Sequence, residues 1–276
     1  MNLTEADPFR LEKLLGDLDR LAQGNHAAKA AVDIALHDWL GKKMGFPWYR
    51  IWGLGPEDAP RSSMTIGIDT AENLRARVKE AEGFPVLKVK LGTERDRETI
   101  QTIREVTDVP LRVDVNQGWK DREEALRMAE WLAANRVELI EQPLPKDRLD
   151  DHAWLNERSP IPIIADESVV RLGDIRTVHG AFAGINVKLM KCTGMREAYR
   201  MILLAHGLGM KVMLGCMTET SCGISAAAQL APMVDWTDLD GALLIANDPF
   251  RGATVRNGEI MLPETAGIGV RRIAKQ

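Results

Sequence analysis

The chain has 276 residues, 45% hydrophobic and 28% charged, with a formal net charge of −4 and no low-complexity tract. That length suits one large barrel or two modest domains. The charge gives no electrostatic case for nucleic acid, and no basic stripe with interleaved aromatics occurs. The most apolar long stretch, 201–217, is interrupted by His206 and Lys211, which makes it helix, turn and strand rather than a membrane span. Three cysteines, at 192, 216 and 222, are too few for a disulfide framework and lack the CxxC spacing of a zinc site. The start is polar and charged, without a signal-peptide pattern, so a reducing, cytoplasmic setting is expected.

In chain order, residues 9–45 read as two helices, the second Ala-rich with apolar residues at helical spacing, and 46–62 is a Gly/Pro-punctuated connector. From Met64 onward, short apolar runs alternate with stretches of helical period. Strands are expected at 63–68, 87–91, 111–115, 138–142, 163–167, 185–190, 211–216 and 236–241. Helices are expected at 71–82, 94–107, 122–135, 148–158, 172–181, 195–208 and 220–233. Eight strands alternating with helices is the pattern of an α/β fold of the (β/α)₈ TIM-barrel type. A doubly wound open sheet would also alternate, but it normally shows a Gly-rich phosphate loop after its first strand, and none is present. VRNGEIML, past residue 241, reads as a hairpin with Asn-Gly at its turn. The expected pieces are a helical remnant and connector at 1–62, the barrel at 63–242, and a C-terminal segment at 243–276 packing back on both.

Barrel chemistry sits at the C-terminal ends of strands. LKVKLG (87–92) puts Lys88 and Lys90 on one strand face, which by itself would suit a solvated edge. The next strands end in Asp114 (with Asn116 two residues on), in Glu141, and in Asp166 with Glu167; the sixth carries Lys188 and the eighth Asp238 and Asp240. Any one of these carboxylates could instead cap the following helix. Three on successive strands, flanked by lysines, would converge, repel and push their pKa values upward unless a divalent cation joins them. Three carboxylates plus water or substrate oxygens suit octahedral Mg²⁺. Lysines approaching such a metal from two sides, their pKa lowered by like charge and burial, suit a 1,1-proton transfer: one removes an α-proton and the other returns one to the opposite face.

This arrangement resembles the enolase superfamily, specifically its muconate-lactonizing subgroup. The stretches KVK (88–90), DVNQGW (114–119), EQP (141–143), ADES (165–168) and NVKLMKCTG (186–194) match that subgroup's pattern, as do intervals of 27 residues from Asp114 to Glu141 and 25 from Glu141 to Asp166. GNHAAKAAVDIALHDWLGKKMG (24–45) is similar to the helix that ends the subgroup's N-terminal capping domain. The resemblance implies that Asp114, Glu141 and Asp166 bind Mg²⁺, that Lys90 and Lys188 are the acid and base, and that Lys88 sits beside the substrate carboxylate. Asn116 and Glu167 are expected to orient the site, and Lys191 to face solvent.

DLDG (238–241) resembles the DxD motif of the subgroup's dipeptide epimerases, where two aspartates hold an α-ammonium. The resemblance therefore implies Mg²⁺-dependent epimerisation of a dipeptide through an enediolate. Cycloisomerisation, o-succinylbenzoate synthesis, N-acylamino acid racemisation and a non-catalytic barrel remain the alternatives, as does an exposed DxD turn. Family members begin with a three-stranded sheet and a mobile loop ahead of these helices, so most of the cap is expected to be lacking. Relatives often assemble through cap and barrel, which allows a homo-oligomer. CMTETS (216–221) is expected to line the cleft, Cys192 and Cys222 to be small buried hydrophobes, and the five histidines to have no chemistry.

Overall fold

The computed structural model describes residues 6–273; residues 1–5, on which the expectation of no signal peptide partly rests, and 274–276 lie outside it. Two helices lead, Leu11–Leu21 (α1) and His26–Met44 (α2), followed by the turn Trp48–Ile51 (α3). Gly45, at φ 79°, ends α2 in the left-handed conformation that glycine adopts without steric cost.

The barrel then runs Met64–Ile66 (β1), Ala71–Glu80 (α4), Leu87–Lys90 (β2), Asp96–Arg104 (α5), Leu111–Asp114 (β3), Arg122–Ala134 (α6), Val137–Glu141 (β4), Leu149–Arg158 (α7) and Ile163–Ala165 (β5). It continues with Ile175–Val178 (α8), Gly184–Lys188 (β6), Leu189–Cys192 (α9), Met195–Gly207 (α10), Lys211–Gly215 (β7), Ser221–Ala228 (α11) and Trp236–Asp238 (β8). All eight strands pair in parallel, in chain order. The seam between β8 and β1 is bridged at Ser62 and Thr237, where Ser63 N–H donates to Thr237 O at 3.2 Å. The sheet thus forms a nearly closed (β/α)₈ barrel with helices ahead of it.

Strand alternation divides the side chains. Leu87, Val89, Val113, Ile140 and Val187 face outward into the main core under the helices. Leu139, Ile164 and Met213 face inward and form a separate cluster with Trp236 inside the barrel. On those same inward faces, nearer the strand ends, stand the charged residues of the site. Arg112, one inward step below Asp114, donates to Thr237 O at 2.9 Å and meets Glu138 at 3.2 Å.

Two expected helices are shorter. The segment 172–181 is a 3₁₀ turn, Leu172–Asp174, leading into α8. The segment 220–233 stops at Ala228 and ends in a 3₁₀ turn, Ala231–Met233, where Pro232 cannot supply a helical N–H. Past the barrel come Phe250–Arg251 (β9), Thr254–Arg256 (β10), Glu259–Met261 (β11) and Arg271–Arg272 (β12). The β10–β11 hairpin turns at Asn257 (φ 50°) and Gly258 (φ 76°), the two left-handed residues of a type I′ turn. Ser62 N–H donates to Gly258 O at 2.7 Å and Trp48 N–H to Gly267 O at 3.1 Å, so this last segment touches both the barrel and the leading helices.

The helices are also tied to the barrel. Asp33 of α2, buried, accepts from Met195 N–H at 2.6 Å and Arg196 N–H at 3.3 Å, capping α10 from another part of the chain. Gly194 belongs there on steric grounds: a Cβ at that position would lie 2.4 Å from Asp33 Cγ.

Candidate active site

Register brings the charged residues together. Lys90 pairs with Asp114 and Asp114 with Glu141, so β2, β3 and β4 carry their charges to one level at their C-terminal ends. Asp166 follows β5, Lys188 ends β6, and Asp238 ends β8. A cavity of about 410 Å³ opens there, lined by Lys88, Lys90, Asp166, Lys188, Asp238 and Asp240 among others.

Asp114, Glu141 and Asp166 each bring an oxygen within 4.8 Å of the other two, and all three are buried. That spacing could hold a metal ion, and the oxygens are the hard donors Mg²⁺ prefers. Glu141 makes the fit concrete. Its Oε2 accepts no hydrogen bond and meets the Lys88 ammonium at 2.7 Å as an ion pair. The other oxygen, Oε1, accepts from Asn186 Nδ2 at 2.7 Å. A buried carboxylate oxygen lacking a hydrogen bond suits a cation ligand.

The lysines interleave with these acids. Lys88 Nζ also lies 2.8 Å from Asp238 Oδ2 and 3.3 Å from Asp114 Oδ2. Lys90 Nζ donates to Asp114 Oδ2 at 2.6 Å and Asn116 Oδ1 at 3.0 Å; Lys188 Nζ donates to Asp166 Oδ2 at 2.7 Å. Asn116 Nδ2 in turn donates to Glu167 Oε1 at 3.2 Å. Asp238 Oδ1 accepts from Ser63 Oγ at 2.8 Å and Asp240 Oδ2 from Thr65 N–H at 2.7 Å, so β1 and the residue before it brace the DxD pair.

Burial, reinforced by Asp114, pushes the Glu141 carboxyl up to about 7, and burial with Asp238 beside it lifts Asp240 to about 6. These are the upward shifts expected of clustered carboxylates. The lysines take their charge state from the same acids. Burial alone would lower Lys88 and Lys188, but carboxylates outweigh it and both are raised: Asp238, Glu141 and Asp114 around Lys88, Glu141 and Asp166 around Lys188. Burial likewise opposes the low value of Asp166, and the ammoniums of Lys191 and Lys188 overcome it.

Lys191 is a correction. It was expected to face solvent, beyond the end of strand six. Instead the strand stops at Lys188 and the chain coils at once into α9, which turns Lys191 back toward β5. Its ammonium, with the side chain 13% exposed, contacts Asp166 Oδ1 and donates to Asp166 O at 2.7 Å. Asn186 was also missed. Its signal was present, since NVK places Asn186 and Lys188 on the same inward face. Cys216 and Met217 line the cavity, and burial pushes the Cys216 thiol well up, which removes it as a nucleophile. Cys192 is buried and Cys222 half-buried. No histidine lines the cavity.

Residues 69–273 match the family described as enolase C-terminal domain-like. The chain belongs to the enolase superfamily. Residues 1–53 match the mandelate racemase / muconate lactonizing enzyme N-terminal domain. The L-Ala-D/L-Glu epimerase of Bacteroides thetaiotaomicron is 59% identical over 97% of this chain and 70% of its own length. The solved dipeptide epimerase of Enterococcus faecalis, complexed with Mg and L-Leu-L-Tyr, superposes with a TM-score of 0.89 at 34% identity, covering 95% of this chain and 78% of that one. A muconate cycloisomerase variant superposes equally well, TM-score 0.89 at 30% identity, over 98% and 79% of the two chains. Kinship of this degree makes the protein an isomerase. The scaffold by itself does not choose between epimerisation and cycloisomerisation. No helix among the described residues is long and apolar enough to cross a membrane.

Proposed function

We propose that this enzyme is a Mg²⁺-dependent dipeptide epimerase that inverts the α-carbon of the C-terminal residue by 1,1-proton transfer. The observation that carries the reading is Asp238 and Asp240 lining the same cavity as Lys90 and Lys188. A cationic α-ammonium entering a desolvated barrel mouth needs anionic partners. Substrates of the cycloisomerases and o-succinylbenzoate synthases lack that amine, and paired carboxylates would repel them. The 59% identical relative is named for L-Ala-D/L-Glu, so L-Ala-L-Glu is the first dipeptide to offer.

Asp114, Glu141 and Asp166 would hold the metal. Mg²⁺ there would supply fixed positive charge to the substrate carboxylate as it takes on enediolate character. Lys90, anchored on Asp114 and Asn116, takes or gives the α-proton at its Nζ on one face. Lys188, anchored on Asp166, does the same on the other face. Lys88 adds positive charge beside the substrate carboxylate, and Glu167 orients Asn116.

The test is deuterium incorporation from D₂O, with Mg²⁺ and a panel of L,L-dipeptides led by L-Ala-L-Glu, read by NMR. Exchange at the C-terminal residue's α-carbon, abolished by EDTA and by Lys90→Ala, supports the reading. Folded, Mg²⁺-binding protein that exchanges no dipeptide overturns it.

A further inference from the structure

Gln142 directly follows Glu141 on β4 and is fully buried. Its backbone is left-handed at φ 38°, and so are Asn116 at 46° and Gln117 at 67° in the loop after β3. Non-glycine residues adopt that conformation at a cost of about 1–3 kcal/mol and keep it where surrounding structure over-determines it.

The over-determination is visible. Gln142 Oε1 accepts from two backbone N–H groups beyond β5, those of Asp166 and Ser168, both at 3.0 Å. Of the two hydrogens on its Nε2, one goes to Ser168 Oγ at 2.8 Å and the other is shared between Leu144 O at 3.2 Å and His152 Nε2 at 3.3 Å. These partners settle which end of the amide is oxygen, because an N–H can only donate and a carbonyl can only accept. His152 Nδ1 stands 3.0 Å from Arg148 O, so Nδ1 carries the proton and Nε2 turns a lone pair toward Gln142. Burial keeps this imidazole neutral, its pKa down to about 4, and its ring lies 4.4 Å from that of Phe182. On the other side, the main-chain O of Gln142 accepts from Gln117 N–H at 2.8 Å.

We infer that Gln142 is the positioning residue of the carboxylate cluster, aligning the ends of β3 and β5 on β4 and so fixing the aim of Asp166, with Ser168 and His152 holding its amide in place. The inference rests on the metal reading given above. An apolar side chain of equal length would fill the space but leave the N–H groups of Asp166 and Ser168 buried without an acceptor. The backbone carrying the strand-five carboxylate would then be free to shift. Groups that orient metal ligands typically matter by about 10–100-fold in affinity when removed.

The experiment is Mg²⁺ titration calorimetry on the full chain and on Gln142→Met, alongside steady-state kinetics and thermal melts. Mg²⁺ binding should weaken by about 10–100-fold. The kcat should fall with it, while dipeptide KM at saturating Mg²⁺ stays near that of the unmodified chain. A lower melting temperature with unchanged Mg²⁺ affinity would mean a packing role alone and overturns the inference. If Gln142→Met does not fold, Ser168→Ala removes an acceptor of the amide and leaves Gln142 itself in place. Several-fold weaker Mg²⁺ binding is then expected, and unchanged binding overturns the inference. An unmodified chain that binds no Mg²⁺ removes the metal reading first, and this inference with it.

Discussion

The Lys88 ammonium lies 2.7 Å from Glu141 Oε2 and 2.8 Å from Asp238 Oδ2, joining the ends of β4 and β8 across the barrel mouth. Asp114 is 3.3 Å from the same nitrogen. One buried cation therefore links the carboxylates suited to a metal with those suited to an amine. Its charge is local to both, so each half of the site depends on it.

Lys88→Met should accordingly be costly to the fold. It would leave Asp114, Glu141 and Asp238 facing one another in a buried space with their shared counter-charge gone. Removing one partner of a buried ion pair costs about 3–5 kcal/mol, and urea denaturation should show a loss of that size. Added Mg²⁺ should recover part of it. A denaturation midpoint unmoved by the substitution would show that Lys88 does not neutralise the cluster.

Asp240→Asn tests the amine side. Its carboxylate is braced by Thr65 N–H and stands outside the group that could hold a metal. The substitution removes the charge and keeps the shape. A hydrogen bond to a charged group contributes about 1.5–3 kcal/mol, so dipeptide KM should rise roughly 10–100-fold while Mg²⁺ affinity holds. A dipeptide KM that does not change would count against an ammonium bound there.

The architecture and the site were legible where the period-two code applied. Lys88, Lys90, Asp114, Glu141 and Lys188 lie on regular strands, so alternation and strand end together placed them on the inward face. Lys191 was misplaced because the strand stopped early, and one turn of helix reverses where a side chain points. Gln142 gave no signal of its role because the bonds it makes join segments 24 and 26 residues away in sequence. His152 lies on a helix rather than at a strand end, and nothing in the sequence shows that its ring reaches Gln142.

His152 gives the fold a pH dependence of definite sign. Its imidazole is buried and neutral, with a pKa near 4 in place of 6.5. Between those values the unfolded chain binds the proton and the native protein does not. The stabilisation is therefore full above pH 6.5 and is lost as pH falls toward 4, by about 3 kcal/mol at about 1.4 kcal/mol per unit. Glu141 and Asp240 titrate in the opposite sense, so the comparison must be with His152→Gln, which cannot titrate. Relative to that variant, the unmodified chain should lose about 3 kcal/mol between pH 7 and pH 4 in urea denaturation. Parallel stability curves would show that the ring takes up its proton without unfolding.

Metal removal follows from the charge balance of the mouth. Asp114, Glu141, Asp166, Glu167, Asp238 and Asp240 face the ammoniums of Lys88, Lys90, Lys188 and Lys191, and half-buried Glu219 near Lys188 adds to the acidic side, so carboxylates outnumber ammoniums. A divalent cation offsets that excess. Mg²⁺ at a hundred times its Kd should raise the unfolding free energy by about 2.7 kcal/mol, and EDTA should remove the gain. Glu141, raised to about 7, makes the proton a competitor: below that pH the carboxyl must give up its proton before it can bind a metal. Mg²⁺ affinity should therefore be level above pH 8 and fall by up to about tenfold per unit below pH 7. Calorimetry across that range decides the point. An affinity that does not change from pH 8 to pH 6 would place the metal away from Glu141.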